Sequence, residues 1–191
     1  MKVWLSRTDT KVGIPYTGSE RRADGSQNHC YIDLKRNSEK IHDIPELKEF
    51  HELKTFVQMM NSHDSLFRTV GCERAFSPSE SSEFKTRLVS LVEIIFEVVE
   101  WNTNVANFEG LYRAFETFAG AKGDLPNCYG VEFSVGPAFF NDHGVSGWIA
   151  TIWIYGYEQS DSDARKQWAL ALQIVHDFFN RDTEQTRKTS N

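Results

Sequence analysis

The sequence predicts an α+β fold: a mainly antiparallel sheet with helices packed on one face, built from repeated β-β-α units. Three observations predict it. Several stretches rich in β-branched and aromatic residues alternate their side chains with a period of two. Amphipathic helical patterns are interleaved with them. The chain also echoes itself. "VGCERAF" near Gly71 is matched by "YGVEFSV" near Gly130, and "LVEIIFEVVEWNTNVANFEGLYRAFETF" lines up with "IATIWIYGYEQSDSDARKQWALALQIVHDF". In both copies a β-rich run ends in a glutamate, Glu100 or Glu158, and a polar stretch leads into a helix.

Taken in order, "MKVWLSR" reads as a first strand and Val12–Gln27 as a Gly- and charge-rich loop. "HCYIDLK" alternates Cys30, Ile32 and Leu34 against His29, Tyr31 and Asp33, a strand with one wet face. "HDIPELKEFHELKTFVQMMN" reads as a helix. Asp43 is placed to cap it, Pro45 suits its first turn, and Leu47, Phe50, Leu53 and Val57 recur on one side. Met59 and Met60 read as core filler.

Residues 78–101 support two patterns. As one long helix, Leu88, Leu91, Val92, Ile95, Phe96 and Val99 form an apolar stripe, with a capping box at Ser77–Glu80. As a strand, Val92, Ile94, Phe96 and Val98 share a face. The internal echo favours the strand. A second helix follows through Phe108, Leu111, Phe115 and Phe118, stopped by Gly120, Gly123 and Pro126. Asn141–Gly144 has turn chemistry and predicts a hairpin. The last helix carries Trp168, Leu172, Val175 and Phe178. One domain over residues 1–180 is expected, with a polar, flexible tail over 181–191.

The echo also assigns faces. Trp148, Ala150, Ile152 and Ile154 match Ser90, Val92, Ile94 and Phe96, the side expected to meet the helices. The opposite face then holds Ile149, Thr151, Trp153, Tyr155 and Tyr157 beside Leu91, Glu93, Ile95, Glu97, Val99 and Glu132, with Glu73 nearby. Antiparallel sheets often leave one face to water, and that face is normally polar. This one combines aromatic and acidic groups, the signature of an interface. Cover by the N-terminal segment or by the Val12–Gln27 loop, and a homodimer contact, are the competing expectations.

The 191-residue chain carries 27 acidic and 21 basic side chains, a formal charge of -6. That balance disfavours nucleic acid, since stacking platforms for bases sit beside cations that hold phosphate. No apolar run suits a signal peptide or a membrane span. Cys30, Cys72 and Cys128 are widely spaced and form no CxxC pair, so reduced thiols and a cytoplasmic setting are expected.

Motifs for chemistry are absent. The six histidines show no metal-ligand spacing, and no phosphate loop, dinucleotide fingerprint or nucleophile elbow occurs. On a strand Glu93 and Glu97 would stand roughly 13 Å apart, too far to share a proton. Asp142 and His143 could serve a metal or a proton transfer, but they sit in turn sequence. No catalytic residue, metal or cofactor is therefore expected. The expected function is protein binding without enzymatic activity: an inhibitor, immunity or anti-defence protein that meets a basic effector, such as a nuclease, through Glu93, Ile95, Glu97, Glu132, Trp153, Tyr155 and Tyr157. The alternative is a small enzyme or ligand-binding domain with a pocket near the 141–157 hairpin, lined by Trp153, Tyr155, Asp142 and His143.

Overall fold

A computed structural model describes residues 1–16, 31–80, 82–123 and 126–189, with side chains as far as Arg181. Its strands are β1 (Lys2–Arg7), β2 (Val12–Ile14), β3 (Phe67–Pro78), β4 (Thr86–Phe96), β5 (Tyr129–Phe140) and β6 (Val145–Glu158). Its α-helices are α1 (His51–Met60), α2 (Val105–Gly120) and α3 (Asp161–Thr189). The fold is α+β. The six strands make one mixed sheet in the order β1-β5-β6-β4-β3, with β2 continuing the β1 edge beside β5.

The expected antiparallel pairing holds for β3–β4, β4–β6 and β5–β6. It fails at the N-terminal edge, where β1 and β2 run parallel to β5. The two later units, β3-β4-α2 and β5-β6-α3, lie side by side with β4 against β6. Among the described residues the first unit forms no hairpin. Tyr31–Asp33 form no strand, and Leu34–Arg36 make a turn. Asp33 is the cause. Its carboxylate accepts the N–H groups of Lys35 (3.1 Å) and Arg36 (3.2 Å), and its carbonyl accepts that of Asn37 (3.0 Å). Such local bonds outcompete a sheet ladder. His29 and Cys30 lie outside the described residues.

Residues 78–101 are not a helix. β4 is a central strand, paired along both edges. It stops at Phe96, short of the expected Glu100, because buried Asn102 takes the place of a pairing strand. The Asn102 Oδ1 accepts the Phe96 N–H (2.8 Å) and its Nδ2 donates to the Phe96 carbonyl (2.9 Å). A 3₁₀ turn, Val99–Thr103, follows. The first helix also starts later than its pattern suggests. Two 3₁₀ turns, Ser38–Asp43 and Pro45–Leu47, precede α1, and Asp43 makes no cap. Ile44 is extended ahead of Pro45, as proline demands of its predecessor, and Glu49 sits at φ 64. α3 runs from Asp161 to Thr189 and so extends into the polar 181–191 segment.

The helices cover one face. α3 lies over β6 and β4, α1 beside it towards β3, and α2 towards β5 and β1. Gly156 sets the depth of α3. A Cβ there would overlap the Ala164 carbonyl and the Trp168 backbone nitrogen, so the strand and helix backbones touch. Trp168 is fully buried and its indole N–H donates to Ser90 Oγ at 2.8 Å. The expected inward set faces the helices: Ser90, Val92, Ile94, Ala150, Ile152 and Ile154 are at most 1% exposed, Phe96 is buried, and Trp148 is half-buried against the same core.

Candidate interaction face

Among the described residues the other face of the sheet carries no helix, and it is divided into two parts. At one end Ile14 closes over Val70, Ile95, Phe140 and Ile149, a second small core with Tyr16 and Tyr31 packed against it. Ile95, expected among the surface contacts, is 7% exposed and belongs to this core. The expectation that the N-terminal loop covers the face is met here by Ile14 and Tyr16; residues 17–27 of that loop lie outside the described residues. Glu93 marks the boundary. Gly71 lies opposite it, and a Cβ there would collide with the Glu93 carboxylate, which instead accepts the Tyr16 hydroxyl at 2.8 Å.

Glu97 also belongs to the covered end and not to the aromatic part. The chain has left β4 by this residue, and its carboxylate takes the Arg68 guanidinium through Nε (2.7 Å) and Nη2 (2.5 Å), with Lys35 at 3.5 Å. Arg68 also faces Tyr31 (3.4 Å) and Asp33 (3.8 Å). The guanidinium holds Glu97 below the usual carboxylate range, and the same pairing pushes Arg68 up. Burial lowers Lys35.

The other half presents a row of half-buried rings. Trp4 on β1 stacks on Tyr155 with centroids 5.6 Å apart and planes 20° apart. Tyr155 stacks on Tyr157 at 6.1 Å and 11°, and Phe84 closes the row at 5.9 Å from Tyr157. Trp4 and Tyr155 sit on strands separated by β5. They meet because β5 offers Gly130 between them, directly across from Tyr155. A Cβ on Gly130 would stand 3.0 Å from the Trp4 ring. Trp153 lies opposite Glu132 on one side and Leu91 on the other, half-buried, and among the described residues it joins none of the ring pairs.

Glu132 sits within this group. Its Oε1 accepts the Ser6 hydroxyl at 2.5 Å and its Oε2 accepts the Tyr155 hydroxyl at 2.9 Å. Tyr155 is raised well above the ordinary tyrosine range by burial, then by its bond to Glu132 and that group's charge. Tyr157 is raised by burial, partly offset by Arg87 across the strand pair. Thus Glu132, Trp153, Tyr155 and Tyr157 come together; Glu93 borders them; Ile95 and Glu97 do not join them. Sequence reading missed Trp4 and Ser6. Their shared parity in "MKVWLSR" was visible, but the parallel docking of β1 beside Glu132 was not.

The turn Asn141–Gly144 forms as expected. Asp142 and His143 line a cleft of about 70 Å³ together with Arg68, Tyr31, Glu97 and Ile95. Trp153 and Tyr155 do not line it. Among the described residues no group of three His, Cys, Asp or Glu could hold a metal ion, and no helix is long and apolar enough to cross a membrane. Cys72 and Cys128 are free thiols, Cys72 pushed up to about 12 by burial and then by nearby carboxylates; Cys30 lies outside the described residues. No family model matches the chain, and no curated protein or solved structure matches it either.

Proposed function

We propose that this chain is a non-enzymatic binding protein whose helix-free sheet face engages a basic protein. The observation that carries the reading is the aromatic row Trp4–Tyr155–Tyr157, held rigid by stacking beside the carboxylate of Glu132. Tryptophan and tyrosine supply large contact area at low entropic cost and dominate interface energetics. Ordered before binding, they lose little further freedom on contact. A formal charge of -6 favours encounter with a basic partner. An inhibitor or immunity protein acting in the cytoplasm on a basic effector, for example a nuclease, is the class that fits best. The partner meets Trp153, Tyr155, Tyr157 and Glu132, joined by Trp4, with Glu93 at the margin.

The test pairs two substitutions on one strand. Ile152 is fully buried, and Ile152→Ala should cost about 2–5 kcal/mol of stability. Trp153→Ala points to the opposite face and should leave the melting temperature within a few degrees of wild type. Wild-type protein purified from its own host should retain one basic protein in stoichiometric amount, and Trp153→Ala should lose it. Equal retention by both, or unfolding of Trp153→Ala as severe as that of Ile152→Ala, refutes the assignment.

A second reading, a small-ligand site near the 141–157 hairpin, draws on the cleft at Asp142 and His143. A thermal-shift screen of small polar metabolites against wild type and His143→Ala tests it. A ligand that stabilises wild type alone supports it, and no shift with any ligand rejects it.

A further inference from the structure

Glu132 is a half-buried carboxylate whose hydrogen bonds come from two hydroxyls, and among the described residues no cation pairs with it. Two further carboxylates share this face: Glu93 meets a tyrosine at the covered boundary, and Glu73 stands in register beyond Leu91 on the β3 edge. We infer that Glu132, Trp153 and Trp4 form a seat for a guanidinium, and that the partner's anchor is an arginine side chain. This rests on the protein-binding reading above and specifies its chemistry.

The argument begins with lone pairs. An ionised carboxylate accepts at about four sites, two on each oxygen. Ser6 occupies one site on Oε1 and Tyr155 one on Oε2. One site remains on each oxygen, the arrangement that a guanidinium fork fills with two parallel N–H bonds. An ammonium is a point donor and gains nothing from the pair. The surroundings favour the same occupant. Trp153 stands directly across the strand pair from Glu132, and among the described residues it joins no ring pair. Trp4 is in register with Glu132 on the other side. A planar cation against indole gains cation–π attraction, and partial burial strengthens it. Both hydroxyls donate to the carboxylate and neither neutralises it, so the geometry is fixed while the charge is left uncompensated. A guanidinium restores that balance without moving a protein group.

The probe is N-acetyl-argininamide, titrated into the full chain while the indole N–H signals of Trp153 and Trp4 are followed by NMR. Saturable shifts of both are expected, with weak affinity as befits a single side chain. Glu132→Gln should weaken the probe by about tenfold, since a charge-assisted pair is lost. Trp153→Leu should weaken it as well, which keeps the test valid if Glu132→Gln fails to fold. N-acetyl-norleucinamide should cause no saturable shift, and N-acetyl-lysinamide should bind several-fold more weakly than the arginine probe. Absence of saturation, indifference to both substitutions, or equal binding of the lysine probe overturns the inference. If the copurifying partner is lost with Trp153→Ala yet kept with Glu132→Gln, the arginine seat fails while the binding face stands.

Discussion

Gly130 makes the Trp4–Tyr155 stack possible, and replacing it separates fold stability from the order of the proposed binding face. The Cβ of Gly130→Ala would lie 3.0 Å from Trp4 Cζ3 and 3.3 Å from the Lys2 carbonyl. Carbon atoms prefer roughly 3.5–4.0 Å, so the indole must retreat by about 0.5–1 Å. The retreat opens the 5.6 Å stack on Tyr155, and an aromatic pair contributes about 0.5–1.5 kcal/mol beyond its buried area. Against this, alanine within a strand is favoured over glycine by about 0.5–1 kcal/mol. The two terms nearly cancel. Net stability should therefore change by no more than about 1 kcal/mol while the front face is disordered. Chemical denaturation measures the first quantity. Near-ultraviolet circular dichroism, which reports coupled aromatic rings, measures the second, and partner retention should fall with it. The decisive control is the same substitution in a Trp4→Ala background, where the indole clash is gone and only the 3.3 Å contact to the Lys2 carbonyl remains. There Gly130→Ala should become stabilising. If Gly130→Ala costs as much without the indole as with it, or leaves the dichroism unaltered, the account of the stack is wrong.

Three further outcomes follow from the packing and the charges. Gly156→Ala should destabilise by about 1–3 kcal/mol or more, because the overlapping atoms are α3 backbone and cannot swing aside; a melting temperature equal to wild type would contradict the close strand–helix contact. Ser90→Ala should cost about 1–3 kcal/mol in denaturant by stranding the buried Trp168 N–H, and Ser90→Thr should recover part of the loss. Glu97 is depressed by Arg68, so its contribution to stability is present above the ordinary glutamate value of 4.5 and fades as pH falls through its lower folded value. Glu97→Gln should flatten the acid side of the stability–pH curve over that window. The change should be small, because the Glu97 side chain is 38% exposed and the pair is screened by water. An unaltered acid limb would show that the ion pair adds nothing.

Much of the sheet was legible from local pattern. The side-chain period of two sorts Ile152 from Trp153 wherever a strand exists, and the structure buries the first and half-exposes the second. The echo between the two later units decided β4 against a helix, a choice periodicity alone left open. Prediction weakened where a single polar side chain redirected the chain. Asp33 turned an alternating stretch into a loop, and Asn102 ended β4 early enough to carry Glu97 out of the face. Such bonds depend on one rotamer meeting one backbone group, and residue pattern does not encode that.

The candidate site divides along the same line. The sequence by itself determined that Trp153, Tyr155 and Tyr157 share a face with Glu132, because alternation along paired strands follows from backbone geometry. Only the tertiary structure decided what completes that face and what is removed from it. The parallel docking of β1 brings Trp4 and Ser6 to Glu132, and the Ile14 segment buries Ile95. Both contacts join residues more than 75 positions apart along the chain. Their choice rests on the burial gained by the whole assembly, to which no local stretch of sequence has access.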